Sequence, residues 1–165
     1  MALEVIRRRR FHRVVFALAG LYNVSWGLWS IADPQWFFRS TGMPPANYPA
    51  VFACLGMVVG LYGILYLEVA RAPEGGWLIA AVGLTGKVLG PAGMLWLIWS
   101  GAWPASALTL CLTNDFIWWV PFALYLHDAW PPHHPRHHRT LAVHDAGLDR
   151  IHEPAAKVVH ARQDE

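Results

Sequence analysis

Four long apolar segments constrain this chain more than any other feature. They cover residues 11–32, 49–69, 77–100 and 103–127, and each has roughly 20–25 residues, about the length that an α-helix needs to cross a 30 Å hydrocarbon core. Lipid offers the backbone no hydrogen bonds, so a segment that crosses it is helical or belongs to a closed barrel. The segments are continuously apolar rather than alternating, which excludes barrel strands. We therefore predict an all-α protein, an integral membrane four-helix bundle.

The composition agrees with this prediction. Only 15% of the 165 residues are charged and 55% are hydrophobic, whereas average soluble domains are about a quarter charged. The net charge of +2 is too small, and too divided between the two ends of the chain, to indicate a nucleic-acid partner. The predicted partner is the lipid bilayer.

Basic residues predict how the bundle is oriented. Five arginines lie within the first thirteen residues, Arg71 lies in the second connection, and Arg136 and Arg139 follow the fourth segment. Only Arg39 lies on the other side. The positive-inside rule then places both termini in the cytoplasm.

These features divide the chain into three parts. Residues 1–10 form a basic cytoplasmic N-terminus, residues 11–130 form the four-helix transmembrane domain, and residues 131–165 form a cytoplasmic tail rich in His and Pro. The tail is polar and interrupted by prolines, so we predict that it is largely disordered.

Polar side chains converge on the predicted midplane. At about 1.5 Å per residue, Lys87 lies roughly 15 Å into the third helix and Asp115 roughly 18 Å from either end of the fourth. Asn23 and Asn114 lie at similar depths. A charge at the bilayer centre costs at least about 2.5–3.5 kcal/mol on insertion scales, so such groups pair, face a packed interior or carry out chemistry.

Small residues predict which way this polar centre faces. Glycines flank Asn23 and Lys87 at helical spacing, and two more form a small-xxx-small seam in the second helix. These glycines are Gly20, Gly27, Gly83, Gly90, Gly56 and Gly60. Because small residues let helix backbones approach closely, we expect the polar centre to lie inside the bundle, away from lipid.

Two prolines weaken the helices near the same depth. Proline has no N–H and clashes with the carbonyl four residues earlier. Pro91 therefore leaves the Lys87 carbonyl without its usual partner, and Pro121 does the same to Ile117. Backbone of this kind is tolerated at membrane depth only where it is buried in protein or lines a polar cavity.

Two interpretations of Lys87 and Asp115 stay open. They form a structural ion pair that fixes the third helix against the fourth, or they belong to a ligand or proton site. A buried pair often adds little net stability, although removing one partner leaves a costly orphan charge. The two interpretations are compatible with each other.

The function predicted from this centre is to bind or help move a small or lipophilic ligand, or a proton, or to serve as an accessory subunit of a membrane complex. The predicted ligand-binding residues are Asn23, Lys87, Asn114, Asp115, Trp118 and Trp119. A bundle of this size has little interior room, so a transport pathway would require a homodimer or a larger complex.

The alternative function is a membrane-embedded enzyme that acts on a lipid or quinone-like substrate. Its candidate catalytic residues are Asp115, as acid/base, and Lys87, which would tune the pKa of Asp115 or stabilise an oxyanion. Because the sequence contains no nucleophile, ligand triad or cofactor fingerprint, we favour the non-enzymatic function and predict no cofactor for the helical domain.

The tail contains a separate candidate site. Imidazoles bind Zn or Ni, and His-rich tracts are plausible chelators. The candidate ligands are His133, His134, His137 and His138. Structural zinc sites usually have spaced ligand pairs on a folded frame, so the competing interpretation is a solvated tail without a specific metal.

Several sequence blocks resemble an uncharacterised family of small four-helix bacterial membrane proteins. The blocks are Leu21-Tyr22-Asn23 with Trp26-Gly27; Met43-Pro44-Pro45 with Asn47-Tyr48-Pro49; Gly86-Lys87 with Leu89-Gly90-Pro91 and Gly93; and Asn114-Asp115 with Ile117-Trp118-Trp119 and Pro121-Phe122. The likeness covers residues 11–127, and a looser one relates the chain to DoxX-type bundles. The resemblance implies the same fold and a location in the bacterial inner (cytoplasmic) membrane, but it supplies no catalytic residues.

Some members of that family carry an automatic alkyl hydroperoxide reductase label. A peroxidatic cysteine needs an accessible, electropositive setting that lowers the thiol pKa. Cys54 and Cys111 lie in apolar segments, so the chemistry of this chain argues against that activity.

Overall fold

The computed structural model describes residues 6–130, which form helices and short connections without a strand. Four of the helices are long and apolar enough to cross a membrane. They are α1 (Arg9–Ala32), α3 (Pro49–Arg71), α4 (Trp77–Trp99) and α5 (Ala105–Asp128), and a short α2 (Trp36–Thr41) lies between α1 and α3. The predicted all-α fold with four such helices is confirmed.

Proline and glycine set several of the helix boundaries. Pro49 is the first residue of α3, where its missing N–H is not needed. Gly42 follows α2 with φ 74°, and Gly101 lies just after α4 with φ 73°. Both adopt the left-handed conformation that ends helices and that residues with a side chain rarely adopt.

Helix α5 is irregular at its centre. It begins as a 3₁₀ turn at Ala105–Leu108 and contains a π-helical turn at Leu112–Phe116, before a regular segment at Ile117–Asp128. The π turn lies directly before Ile117, whose carbonyl Pro121 leaves without its usual partner. Single π turns of this kind occur frequently at functional sites, and this one contains Asp115.

Glycines bring α1 and α3 into close contact. A Cβ atom added to Gly27 would lie 2.6 Å from the carbonyl oxygen of Gly56, and one added to Gly63 would lie 2.7 Å from the carbonyl oxygen of Gly20. Only a residue without a side chain allows backbones to approach this closely. Helices α1 and α3 therefore form a tight pair.

The first connection packs onto one end of the bundle. Phe37 of α2 is 2% exposed, and its ring stacks on Phe52 with 5.8 Å between the ring centroids. The Ser106 hydroxyl donates to the Thr41 carbonyl at 2.7 Å, which links α2 to the start of α5. Helix α2 is thus linked both to α3 and to the start of α5.

The opposite end, which we call the arginine end, carries an ionic network. Arg8 donates twice to Asp128, at 2.7 and 2.8 Å, and His12 Nε2 lies 2.8 Å from the same carboxylate. Arg9 donates to Glu74 at 2.6 Å. The start of α1 is therefore tied to the end of α5 and to the turn between α3 and α4.

Candidate functional site

A cavity of about 240 Å³ lies between the middle of α3 and the first half of α4, and reaches α1 and α5. Its lining has two parts. Leu55, Val58 and Val82 are about half exposed, at 49%, 50% and 46%, and form an apolar mouth. The deeper lining includes the polar residues Asn23, Lys87, Asn114 and Asp115.

The structure brings these four polar side chains together, as the depth calculation predicts. Asn23, Lys87 and Asp115 are 3%, 5% and 6% exposed, and Asn114 is half-buried. They come from three helices: α1 provides Asn23, α4 provides Lys87, and the π turn of α5 provides the other two. Residues far apart in the sequence therefore share one cavity.

Lys87 bonds to a backbone carbonyl. Its Nζ donates to the Asn114 carbonyl oxygen at 2.5 Å, and the salt bridges within residues 6–130 do not include one between Lys87 and Asp115. The Asp115 carboxylate accepts instead from Asn114 Nδ2 at 3.0 Å. The structural ion pair considered from the sequence is therefore not the contact that holds Lys87.

The Lys87 carbonyl, which Pro91 deprives of its helical partner, accepts from the indole Nε1 of Trp119 at 3.0 Å. The indole of Trp118 donates in the same way to the Thr113 carbonyl at 3.1 Å. Neither tryptophan belongs to the cavity lining, although both are predicted ligand-binding residues. Each indole N–H therefore bonds to a backbone carbonyl of an irregular helix, and neither indole faces the cavity.

Hydrogen-bonding capacity remains unused around the cavity. The side-chain oxygens of Asn23 and Asn114 are buried and have no hydrogen-bond partner among the described residues. An ammonium group has three donors, and the contacts of residues 6–130 use one of those of Lys87. Buried polar groups are nearly always hydrogen-bonded, so this arrangement fits an occupant that both donates and accepts.

Two tyrosines of the site are not among the residues predicted from the sequence. Tyr62 and Tyr66 of α3 line the cavity, and Tyr66 is 2% exposed. A side chain at Gly83 of α4 would collide with the Tyr66 hydroxyl, so Gly83 makes room for that ring. The available signal was the spacing of the two tyrosines, four residues apart and therefore on one helix face.

The predicted metal ligands in the tail, His133, His134, His137 and His138, lie outside the described residues. Within residues 6–130, no group of three His, Cys, Asp or Glu side chains is arranged to hold a metal ion. The tail site accordingly stays a prediction.

No family profile, curated protein or solved structure matches this chain. The resemblance to the small four-helix family stays a prediction as well.

Proposed function

We propose that this protein is a multi-pass protein of the bacterial inner membrane, with both termini in the cytoplasm, that binds an amphipathic ligand by its polar head group in the central cavity. Four helices long and apolar enough to cross a membrane support the insertion. The arginine end supports the orientation, because it contains Arg8, Arg9 and Arg13 and basic residues favour the cytoplasmic side. Membership of the small four-helix family is part of this proposal.

The observation that carries the proposal is the division of the cavity into a polar floor and an apolar mouth. The mouth residues Leu55, Val58 and Val82 lie five or more residues from the nearer end of α3 or α4, where a membrane-spanning bundle meets hydrocarbon. A polar floor reached through an apolar mouth admits a molecule from the lipid phase. Such a molecule would bury its head among Asn23 and Lys87 and leave its apolar part at the mouth.

The size of the cavity limits the ligand. Pockets that enclose a whole drug-sized molecule measure about 300–1,000 Å³, whereas this one measures about 240 Å³. It fits a single ring or a short polar head, with the remainder of the molecule lying between α3 and α4 in lipid.

The hydrogen-bonding groups indicate the chemical class of the head. Lys87 needs an acceptor, while the oxygens of Asn23 and Asn114 need a donor. A hydroxyl group provides both. We therefore propose a lipophilic alcohol or a quinol-like molecule as the ligand, with a role in binding, movement or delivery to a membrane complex.

A reaction at this site is the second candidate, and one observation favours it: the Asp115 carboxylate and the Lys87 ammonium both line the cavity. Asp115 would serve as acid/base for the hydroxyl proton, and Lys87 would stabilise the developing oxyanion. A change in the mass of the bound molecule after incubation with the protein would distinguish this candidate from binding alone.

The test is native mass spectrometry of the protein, gently extracted from its own membrane, in two glycine variants of α4. A Cβ atom added to Gly86 meets no other atom within 4 Å, and the same is true at Gly93, so the backbone leaves room for a side chain at both positions in Gly86→Leu and Gly93→Leu. Gly86 lines the cavity and Gly93 does not. We expect the wild type and Gly93→Leu to retain a small lipophilic molecule, and Gly86→Leu to lose it.

Two results would contradict the proposal. If all three proteins are extracted without a small molecule, or if Gly86→Leu retains as much as Gly93→Leu, the cavity is not the binding site. A wild-type protein that is recovered only with another subunit, and with no ligand, would indicate an accessory role instead.

A further inference from the structure

A second recess, which we call the arginine groove, lies between the beginning of α1 and the end of α3. It measures about 520 Å³ and is lined by Arg10, Arg13, Val14, Ala17, Ala70 and Arg71. It is separate from the central cavity, with which it shares no residue. Three guanidinium groups thus surround a floor of small apolar side chains.

The arginines of this end differ in their partners. Arg8 and Arg9 bond to Asp128 and Glu74, so the structural network accounts for their charges. Arg10 and Arg13 have no acidic partner among residues 6–130. Both of these uncompensated cations line the groove.

The groove positions its charges. Arg13 Nε donates to the Ala70 carbonyl at 3.0 Å, one of the last carbonyls of α3, which has no partner within its own helix. This bond holds the guanidinium against the groove wall and leaves its two terminal nitrogens for another acceptor. Arg71 lies on the opposite side and bonds to Glu68 at 2.7 and 2.5 Å. Arg10, Arg13, Arg71 and Glu68 together therefore carry a net charge of about +2.

The apolar part of the groove continues along α1. Val14 is 58% exposed, and Leu18 and Leu21 follow at 55% and 57%. Residues spaced three and four apart share one helix face, so this stripe begins next to Arg10 and runs away from the arginine end. A cationic recess that opens onto an exposed apolar stripe has the layout of an anionic head group joined to a hydrocarbon chain.

We infer that the arginine groove is a binding site for an anionic phospholipid, with its phosphate between Arg10 and Arg13 and an acyl chain along Val14 and Leu18. Guanidinium groups bind phosphate oxygens through paired, charge-assisted hydrogen bonds, and basic pockets on the cytoplasmic side of transmembrane helices bind anionic head groups. The inference rests on the proposed membrane insertion and orientation but not on the proposed ligand of the central cavity.

The test is a lipid titration of the delipidated full chain in neutral detergent, followed by native mass spectrometry. The probes are phosphatidylglycerol and phosphatidylcholine with identical acyl chains, and inorganic phosphate. We expect phosphatidylglycerol to bind about tenfold or more tightly than phosphatidylcholine, and inorganic phosphate not to compete at millimolar concentration, because the acyl chain contributes to binding. Equal binding of the two lipids, or full competition by phosphate, would overturn the assignment to a lipid.

The variants locate the site. Each arginine near an anionic surface contributes roughly a factor of five in affinity, so Arg10→Gln with Arg13→Gln should weaken phosphatidylglycerol binding about 30-fold. The matched control, Arg136→Gln with Arg139→Gln, removes two charges from the same predicted side and should change it less than about twofold. A control that weakens binding as much as the groove variant would show that the attraction is unspecific, and would refute the site.

Single variants keep the test valid if the double variant unfolds. Arg10 is exposed, so Arg10→Gln should fold normally and lose about fivefold in affinity. Gly86→Leu should leave phosphatidylglycerol binding unchanged while it abolishes ligand retention in the central cavity. An Arg10→Gln protein with wild-type affinity would contradict the inference, whatever the outcome at the central cavity.

Discussion

The contacts that α3 makes with α1 and with α4 show two uses of the same residue type. Between α1 and α3, a Cβ atom on Gly27 would lie within 3 Å of the backbone of both Gly56 and Gly60. On α4, a Cβ atom on Gly86 would meet nothing within 4 Å. Glycine brings the backbones of α1 and α3 together, whereas on the α4 side it admits the Tyr66 ring at Gly83 and leaves open space at Gly86. The tight pair forms one wall of the bundle, and the cavity occupies the side where the helices separate.

The polar residues follow this difference. Lys87 and Asp115 lie on the helices that face the open contact, and Asn23 reaches the cavity from the tight pair. A buried charge needs hydrogen-bond partners and room for them, which a contact between backbones at van der Waals distance cannot provide. The separation of α3 from α4 is thus what allows a polar centre at this depth.

The largest expected effect comes from forcing the tight contact apart. Gly27→Leu would begin its side chain 2.6 Å from the Gly56 carbonyl oxygen, so the two backbones must move. We expect the free energy of unfolding to fall by about 3 kcal/mol, measured by circular dichroism during SDS titration in detergent micelles. Gly86→Leu is the matched control and should lose less than about 1 kcal/mol. Equal losses would show that the two contacts do not differ as described.

The next effect concerns what holds Lys87. Lys87→Met removes the donor to the Asn114 carbonyl, and an unsatisfied buried carbonyl costs about 1–3 kcal/mol. Because that partner is the backbone, adding Asp115→Asn should not restore the loss, and the double variant should stay at least about 1 kcal/mol below the wild type. The same SDS titration measures both proteins. Full recovery in the double variant would instead establish a structural ion pair.

A smaller effect tests the hydrogen bond between the Trp119 indole and the Lys87 carbonyl. Trp119→Phe removes the donor to the Lys87 carbonyl and should cost about 1 kcal/mol. Pro91→Ala supplies an N–H that can bond to the same carbonyl, so Trp119→Phe should cost less than half as much in that background. A double-mutant cycle gives the coupling. Additive losses would mean that the indole acts through packing alone.

The smallest effect is pH-dependent and concerns the turn that joins α3 to α4. The Arg9 guanidinium donates a hydrogen bond to Glu74 and lowers the pKa of that carboxyl below its ordinary value of 4.5. A carboxyl whose pKa is lower in the folded protein stabilises the fold above the unfolded pKa and loses that contribution as the pH falls through the folded pKa.

Glu74 is partly exposed, at 33% of its side chain, and we expect the contribution of the pair to be about 0.5 kcal/mol. Below pH 4.5 the wild type should approach Glu74→Gln in stability, and above it the wild type should be more stable. Thermal unfolding in detergent at several pH values measures the difference. A difference that is constant across this range would contradict the assignment to the Arg9–Glu74 pair.

The polar centre shows which features of the site can be predicted from the sequence and which cannot. Lys87, Asp115, Asn23 and Asn114 can be placed at one depth by counting residues, because helical rise is constant. Which atoms meet cannot be obtained in this way. One of the two interpretations from the sequence paired Lys87 with Asp115, whereas in the structure the π turn of α5 presents a backbone carbonyl to Lys87.

The two tryptophans show the same limit. Trp118 and Trp119 follow Asp115 closely in the sequence, and this proximity predicts that they lie beside the ligand. In the structure their indoles face carbonyls of Thr113 and Lys87. The rotation of a side chain about its helix depends on the local helix type, which periodicity does not encode when a π turn intervenes.

Composition and spacing by themselves determined that this chain forms four long apolar helices with a polar centre, because hydrophobic length and helical rise are local properties. Only the tertiary structure decided which helix contact is tight and which is open, and therefore where the cavity lies. That decision depends on whether a glycine meets a backbone, as Gly27 does, or empty space, as Gly86 does. The sequence contains the glycine in both cases, but the space opposite it is a property of the partner helix.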